Sequence, residues 1–470
     1  IISFINLLLL CCTFFKLYAE IRNPNQQADL LILTPELWQD NLAPYIAYRQ
    51  KNGIKAAVIT LEQIQHEFPV DSLLTESIYQ AIWTAKKTWQ TPAIHSVLLV
   101  GDSEFLPSFL AYNEIMREWY NLDQYYALSP EKDSHAPQLA IGRFPVNNAD
   151  ELALIIKKSI VFESQKYLYD FTAVTDSSGL NYFTQEMDSL ARLIPPSMTW
   201  KRIDTWLGSP NAGNRTDLLH TFNDGCRNLL FLGHTNEHQW MRDSLLLIPD
   251  LSRLNPAAPP SVVVIFGSDN NVALPSDSTI VELLLLKGSN GAVATIAPVG
   301  IAWAHQNMVF LTNFYKDQWG GMRHSIGESV KNAFTAMGKE NPFSEINSNH
   351  SYTILGDPCL TIPWPLIAGV QSTLAPVPKT FELLNNYPNP FNPKTMIQYS
   401  LRAASDISIR ILNIRGQLIR TLFSGKQVAG THLITWDGTN EAGLSVASGI
   451  YLIQMNDGRF GQQIKAVLSR

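Results

Sequence analysis

Between residues 28 and 298 one pattern repeats: an unbroken run of Val, Ile and Leu, a stretch with helical spacing, then another apolar run. The runs are ADLLILTP (28–35), IKAAVITL (54–61), HSVLLVGD (95–102), FTAVTD (171–176), NLLFLGH (228–234), SVVVIFGSD (261–269) and GAVATIAP (291–298). Between them lie a helix-like stretch ending at Asn52-Gly53, SIYQAIWTAKKTWQ (77–90), DELALIIKKSIVFES (150–164), a segment near 183–194 and STIVELLLLKG (278–288). Strands that are apolar throughout must be covered on both faces. Alternating with helices, they belong to a mainly parallel α/β sheet. The pattern runs twice with a break near residue 170, which predicts consecutive subdomains at 20–170 and 171–364.

Past residue 364 the pattern stops. PLIAGVQSTLAPVPKT (365–380) carries three prolines and reads as a linker. Then come MIQYSL, ISIRILN, LIRTLF, HLITWD, GIYLIQMN and IKAVLS, with turn signals at Arg415-Gly416, Asp437-Gly438 and Asp457-Gly458. Short strands at this spacing predict an all-β sandwich over residues 381–470. This segment has nine Lys and Arg against five Asp and Glu, a net +4; the whole chain is −6, so the remainder is −10. An acidic body without a basic run argues against a nucleic-acid partner.

At the other end, residues 1–15 are almost wholly apolar. Residues 1–19 read as a secretory signal peptide cut near Ala19, which places the product outside the cell or on its surface. No other run of about 20 apolar residues occurs, so no transmembrane span is expected in the mature chain. The cysteines are Cys11, Cys12, Cys226 and Cys359. Removing the leader takes two of them, which excludes a disulfide framework or a four-cysteine metal site.

In parallel sheets, chemistry gathers at the carboxyl ends of strands. Three such ends carry functional side chains: Gly101-Asp102, Gly233-His234 and Gly267-Ser268-Asp269. The last two end consecutive predicted strands and are expected to be neighbours. Asp102 suits a cap on the following turn, or a Ca²⁺ ligand among other carboxylates; no cofactor is otherwise expected. His234-Thr-Asn-Glu237-His238 spells the inverted zinc-peptidase motif, but that motif needs a helix and this segment is a poor helix interior. Cys226 lies before the His234 strand, at its far end, and reads as a small buried hydrophobe. Cys359 is expected to lead into a strand, CLTI, and to be structural. Trp119, Tyr125 and Tyr126 are read as an aromatic cluster with core packing as the default.

Several pieces, in order, resemble one family: DLLILTPELW, VLLVGD, DQYYAL, PQLAIGRFPVNNADE, LFLGHTNEHQW, IVELLLLKGSNGAVATIAP and YTILGDP, over roughly residues 28–362. They are similar to the gingipain-type cysteine peptidases, which have a caspase-like α/β fold. That resemblance implies His234 as general base, protein or peptide as substrate, and a nucleophile at the end of the next strand. The family has Cys there, followed by Asn and Gly; aligning SVVVIFGSDNN puts Ser268 at that position. Thr235 likewise stands where the family has Gly. Backbone N–H groups at Thr235 and Ser268 would face the oxyanion. A Ser hydroxyl is far less acidic than a thiol, so an imidazole suited to Cys would activate it poorly. A serine-type Ser268–His234 dyad would need a buried carboxylate to orient the His, and Asp123 is one candidate. Otherwise the body is a non-catalytic, peptide-binding pseudopeptidase. Glu282 resembles a recurrent family Glu and is expected to be structural.

The tail is also similar to a known module. NYPNPFNPKTMIQYSL, WDGTNEAGLSVASGIYLIQM and the terminal IKAVLSR resemble the Ig-like sorting domain of type IX secretion substrates, related to the flagellar hook-capping domain. This implies the type IX machinery as a partner of residues 381–470. PNPFNP would then be a proline-stiffened edge segment, because proline cannot donate to a ladder.

Overall fold

The computed structural model describes residues 20–469, apart from 70–72, 114–117, 131–135, 177–181, 206–211, 241–243, 268–278, 287, 289, 300–303, 321–322, 341–351, 366–381, 384–385, 387–388, 394, 402–404, 428–429 and 459–460. The strands of the first part are β1 (Leu30–Thr34), β2 (Ala56–Thr60), β3 (Ser96–Val100), β4 (Phe109–Asn113), β5 (Glu118–Leu122), β6 (Ala140–Phe144) and β7 (Tyr169–Thr175). They continue with β8 (Trp200–Asp204), β9 (Cys226–Leu232), β10 (Gln239–Trp240), β11 (Leu246–Leu247), β12 (Ser261–Phe266), β13 (Ala292–Pro298) and β14 (Tyr352–Leu355). The helices are α1 (Ala43–Lys51), α2 (Leu61–Glu67), α3 (Leu74–Thr88), α4 (Ala149–Phe162), α5 (Tyr182–Ala191), α6 (Arg215–Asp224), α7 (Ile280–Leu286), α8 (Ala304–Trp319) and α9 (Ile326–Glu340).

Ten strands form one sheet in the order β2-β1-β3-β6-β14-β13-β12-β9-β7-β8. All neighbours pair in parallel except β13 with β14. The side chains alternate between two apolar layers as the period of two requires. Leu30, Ile32, Leu98, Val100, Leu229, Phe231, Val263 and Ile265 face a layer shared with α1, α4, α6 and α7. Their neighbours Leu31, Leu33, Val97, Leu99, Leu230, Leu232, Val262 and Val264 face α2, α3, α5, α8 and α9. The mainly parallel, doubly covered sheet read from the sequence is what the chain adopts. Its two halves share a single sheet, joined where β14 lies between β6 and β13.

That seam is polar where it needs to be. Arg143 at the end of β6 is fully buried and uses all five N–H groups. Nε and Nη2 grip the Asp123 carboxylate at 2.7 and 2.6 Å; Nη1 donates to Gly101 O and Leu106 O, and Nη2 also to Ser108 Oγ. Arg49 on α1 makes a second buried pair with Asp357, just after β14. The segment CLTI is not a strand. After the Gly356-Asp357-Pro358 turn, the carbonyls of Pro358 and Leu360 accept from Gly327 and Ile326 at the start of α9, so they serve that helix instead of a ladder.

The turn between α8 and α9 holds a charged cluster. Asp317 accepts from His324 Nδ1 at 2.9 Å, from Ser329 Oγ and from Asn332. The bond to Asp317 lifts the His324 imidazole above its ordinary value against the opposing effect of burial. Burial works to raise Asp317, but hydrogen bonds led by that from His324 outweigh it and hold the carboxyl low. A raised His stabilises fully below its unfolded pKa, about 6.5, and loses that contribution as pH rises through the folded value. A depressed Asp stabilises fully above about 3.9 and loses it as pH falls through its own folded value. His324→Gln should therefore cost about 1–2 kcal/mol at pH 6 and clearly less at pH 9, read from denaturant midpoints. Equal losses at both pH values would show that the charge plays no part.

The chain divides into two compact units that part at Val370/Gln371. The expected linker 365–380 lies, except for Pro365, outside the described residues. The second unit contains β15 (Glu382–Leu383), β16 (Thr395–Leu401), β17 (Ser405–Asn413), β18 (Leu418–Gln427), β19 (Gly430–Trp436), β20 (Gly449–Asn456) and β21 (Gly461–Leu468). They form antiparallel sheets β15-β16-β19 and β18-β17-β20-β21 around Ile397, Ile409, Ile411, Trp436, Ile453 and Met455. Phe391, in PNPFNP, bridges to Leu468 along the β21 edge, as a proline-stiffened edge segment should. Among the described residues no helix is long and apolar enough to cross a membrane.

Candidate active site

Strands β12, β9 and β7 are adjacent and parallel, so their carboxyl ends open on one edge. Phe266 and Thr175 both stand opposite Leu232. The ladder runs one residue further on each side: Gly233 N donates to Phe266 O at 2.9 Å and Asp176 N to Leu232 O at 2.8 Å. This register places His234 beside two neighbours of different kind, Asp176 and the Gly267 backbone.

His234 Nδ1 lies 2.9 Å from Asp176 Oδ2, and the same oxygen accepts the His234 backbone N–H at 3.1 Å. Asp176 is completely buried, while the His234 side chain keeps 38% of its surface exposed. A carboxylate on Nδ1 fixes the tautomer and makes Nε2 the basic nitrogen. Gly233 is required for this: a Cβ there would collide with Asp176 Cβ and the Phe231 ring.

Asp123, the candidate orienter from the sequence, does not serve His234. Both of its oxygens are engaged by Arg143 and one also by Ser108, at the end of another part of the sheet. It is Asp176 that contacts the His234 ring. The signal was present in FTAVTD, a strand ending in a carboxylate as VLLVGD does. What its sequence position could not show is that β7 flanks β9.

Thr235 is buried, and its side chain fills the space a Cβ on Gly267 would occupy. It bridges to Trp240, which stacks on Phe231 at 4.8 Å. The Glu237 carbonyl accepts from Ile280 N at 2.7 Å, tying the loop after β9 to the start of α7. Glu282 closes a capping arrangement there, with Thr279 N donating to its carboxylate at 2.8 Å, in line with a structural role. Gly267 thus ends against Gly233 and Thr235, the residues on either side of His234. Ser268 itself, with Asp269, lies outside the described residues.

The remaining candidates fall away from this edge. Residues 234–238 are not helical, so His234 and His238 do not form the inverted zinc motif; among the described residues no group of three or more metal-ligating side chains is assembled. Asp102 caps its own turn, accepting Ser103 N at 2.6 Å. Cys226 and Cys359 are both free and buried, and burial pushes each thiol up to about 12, far from a nucleophile's range. Cys226 opens β9 while His234 follows its end, roughly 25 Å away at about 3.3 Å per residue. Trp119 is exposed on the β4–β5 hairpin against Tyr112, whereas Tyr125 and Tyr126 pack on Phe109, so the three do not form one cluster.

Comparison with known proteins agrees with this architecture. The model of peptidase family C25 matches residues 23–363, and that of the FlgD Ig-like domain matches residues 393–459. The fold is similar to the crystal structure of the Arg-specific cysteine proteinase gingipain R, at 15% identity, covering 96% of this chain and 100% of that one with a TM-score of 0.62. It is similar also to the complex of Porphyromonas gingivalis RgpB pro- and mature domains, at 15% identity, 94% and 100% coverage and a TM-score of 0.60. No match is found among curated proteins.

Proposed function

The chain belongs to peptidase family C25, and on that premise we propose that it is an exported, gingipain-like protein acting on protein or peptide chains, with Ser268 in place of the nucleophilic cysteine. In this reading residues 20–170 and 171–364 form the peptidase body, and residues 381–470 the type IX sorting domain that directs the protein to the cell surface. The apolar leader at 1–19 supports export. The observation that carries the reading is the Asp176–His234 contact at the strand edge next to Gly267.

The division of labour follows from the chemistry. Asp176 orients the imidazole and balances its charge when protonated. His234 Nε2 takes the proton from the group at position 268, and backbone N–H groups at Thr235 and 268 stabilise the oxyanion. A hydroxyl gives up its proton much less readily than a thiol, so wild-type turnover is weak or absent.

The buried Asp176 favours a second reading, serine-type hydrolysis, over a purely binding pseudopeptidase, because an oriented His is what a serine nucleophile requires. A peptide-library assay separates them. Ser268→Cys is expected to raise cleavage by about 100-fold or more and make it sensitive to thiol alkylation, with His234→Ala abolishing it. Wild-type cleavage that resists thiol blockers and is lost in Ser268→Ala would establish the serine type. If wild type and Ser268→Cys are both inert, only the peptide-binding reading is left.

A further inference from the structure

Asp176 holds one nitrogen of the His234 ring through a hydrogen bond. A second contact comes from another element. Phe183, in the first turn of α5, meets the His234 imidazole with ring centroids 5.3 Å apart and planes at 86°. The same phenyl ring meets Phe266, the last residue of β12, at 6.2 Å and 83°. Phe183 is half-buried and packs on the apolar layer that contains Leu232 and Phe266. It therefore touches both the base and the strand that leads to position 268.

We propose that Phe183 is a positioning residue: its ring pins the plane of the imidazole against Asp176, so that Nε2 stays directed toward the ends of β9 and β12. This rests on the reading of His234 as the general base. Perpendicular aromatic packing of this kind is directional as well as apolar, so it can set an orientation that an aliphatic side chain would not. Because α5 follows directly on the segment leaving Asp176, carboxylate and ring reach His234 from the same β7–α5 connection.

The test uses the full-length protein labelled at histidine Cε1. The His234 signal is identified as the one missing in His234→Gln. It should be single and narrow in the wild type, and broadened or split in Phe183→Ala and Phe183→Leu. Leu190→Ala loosens the same helix from the same core without touching His234, and should leave the signal as it is. In the Ser268→Cys background, Phe183→Ala should lower kcat about tenfold with KM changed less than about twofold, and Phe183→Tyr should keep both. An unchanged His234 signal, or an unchanged kcat, overturns the proposal. If neither wild type nor Ser268→Cys cleaves, the peptidase reading fails, while the histidine signal still decides the role of Phe183.

Discussion

Asp176→Asn, made in the Ser268→Cys background, is expected to lower peptide cleavage by about 10²–10⁴-fold while leaving the melting temperature within a few degrees. One carboxylate oxygen serves both the His234 ring and its backbone N–H. An amide oxygen could keep both hydrogen bonds, so the fold of the loop should survive. What is lost is the negative charge that stabilises the protonated imidazole during proton transfer. If the amide turns its NH₂ toward Nδ1 instead, the tautomer inverts and Nε2 carries the proton when it should accept one. Either way the loss falls on kcat more than on KM. A decrease of less than about tenfold would mean that His234 works without Asp176.

Asp123→Asn should have the opposite profile. It removes the charge partner of a completely buried guanidinium, and leaving such a charge unbalanced costs about 3–5 kcal/mol. The carboxylate is gripped by two Arg143 nitrogens and also accepts from Ser108, so no solvent screening softens the loss. Urea unfolding should show the drop in stability directly. In the fraction that stays folded, cleavage in the Ser268→Cys background should be nearly unchanged, since Asp123 does not reach His234. A variant as stable as the parent but catalytically impaired would return Asp123 to the site and contradict the geometry. Together the two carboxylate replacements separate a functional aspartate from a structural one by independent readouts.

Much of the fold was legible because its physics is local. A strand such as SVVVIF has to be buried on both faces, and a stretch such as DELALIIKKSIVF shows its apolar stripe at helical spacing. The antiparallel β14 was not legible. YTIL is four residues long, and nothing in it specifies that its partners are β6 and β13. His234 could be read from its place after an apolar run and Gly233. Asp123 and Asp176 could not be ranked from the chain alone, because both are aspartates beside apolar segments. The order of strands decides between them: β7 lies next to β9, and Asp123 follows β5, outside the large sheet. CLTI reads as a strand from composition, yet its Leu360 carbonyl serves the start of α9. Thr235 and Gly267 belong to different strand ends in the sequence, but in space the side chain of one fills the room left by the other.

The position of β14 bears also on the order of events in folding. Strands β1, β2, β3 and β6 can pair among themselves early, and so can β7, β8, β9, β12 and β13, because each set is nearly contiguous in the chain. The two sets are joined through Tyr352–Leu355, which arrives after all of them. As the chain emerges from a ribosome or a pore, the sheet remains two unlinked pieces until this short strand is available. Long-range pairings of this kind are slow to form. The seam contacts that need this strand, the Arg49–Asp357 pair among them, can therefore form only after every other strand of the sheet has been made.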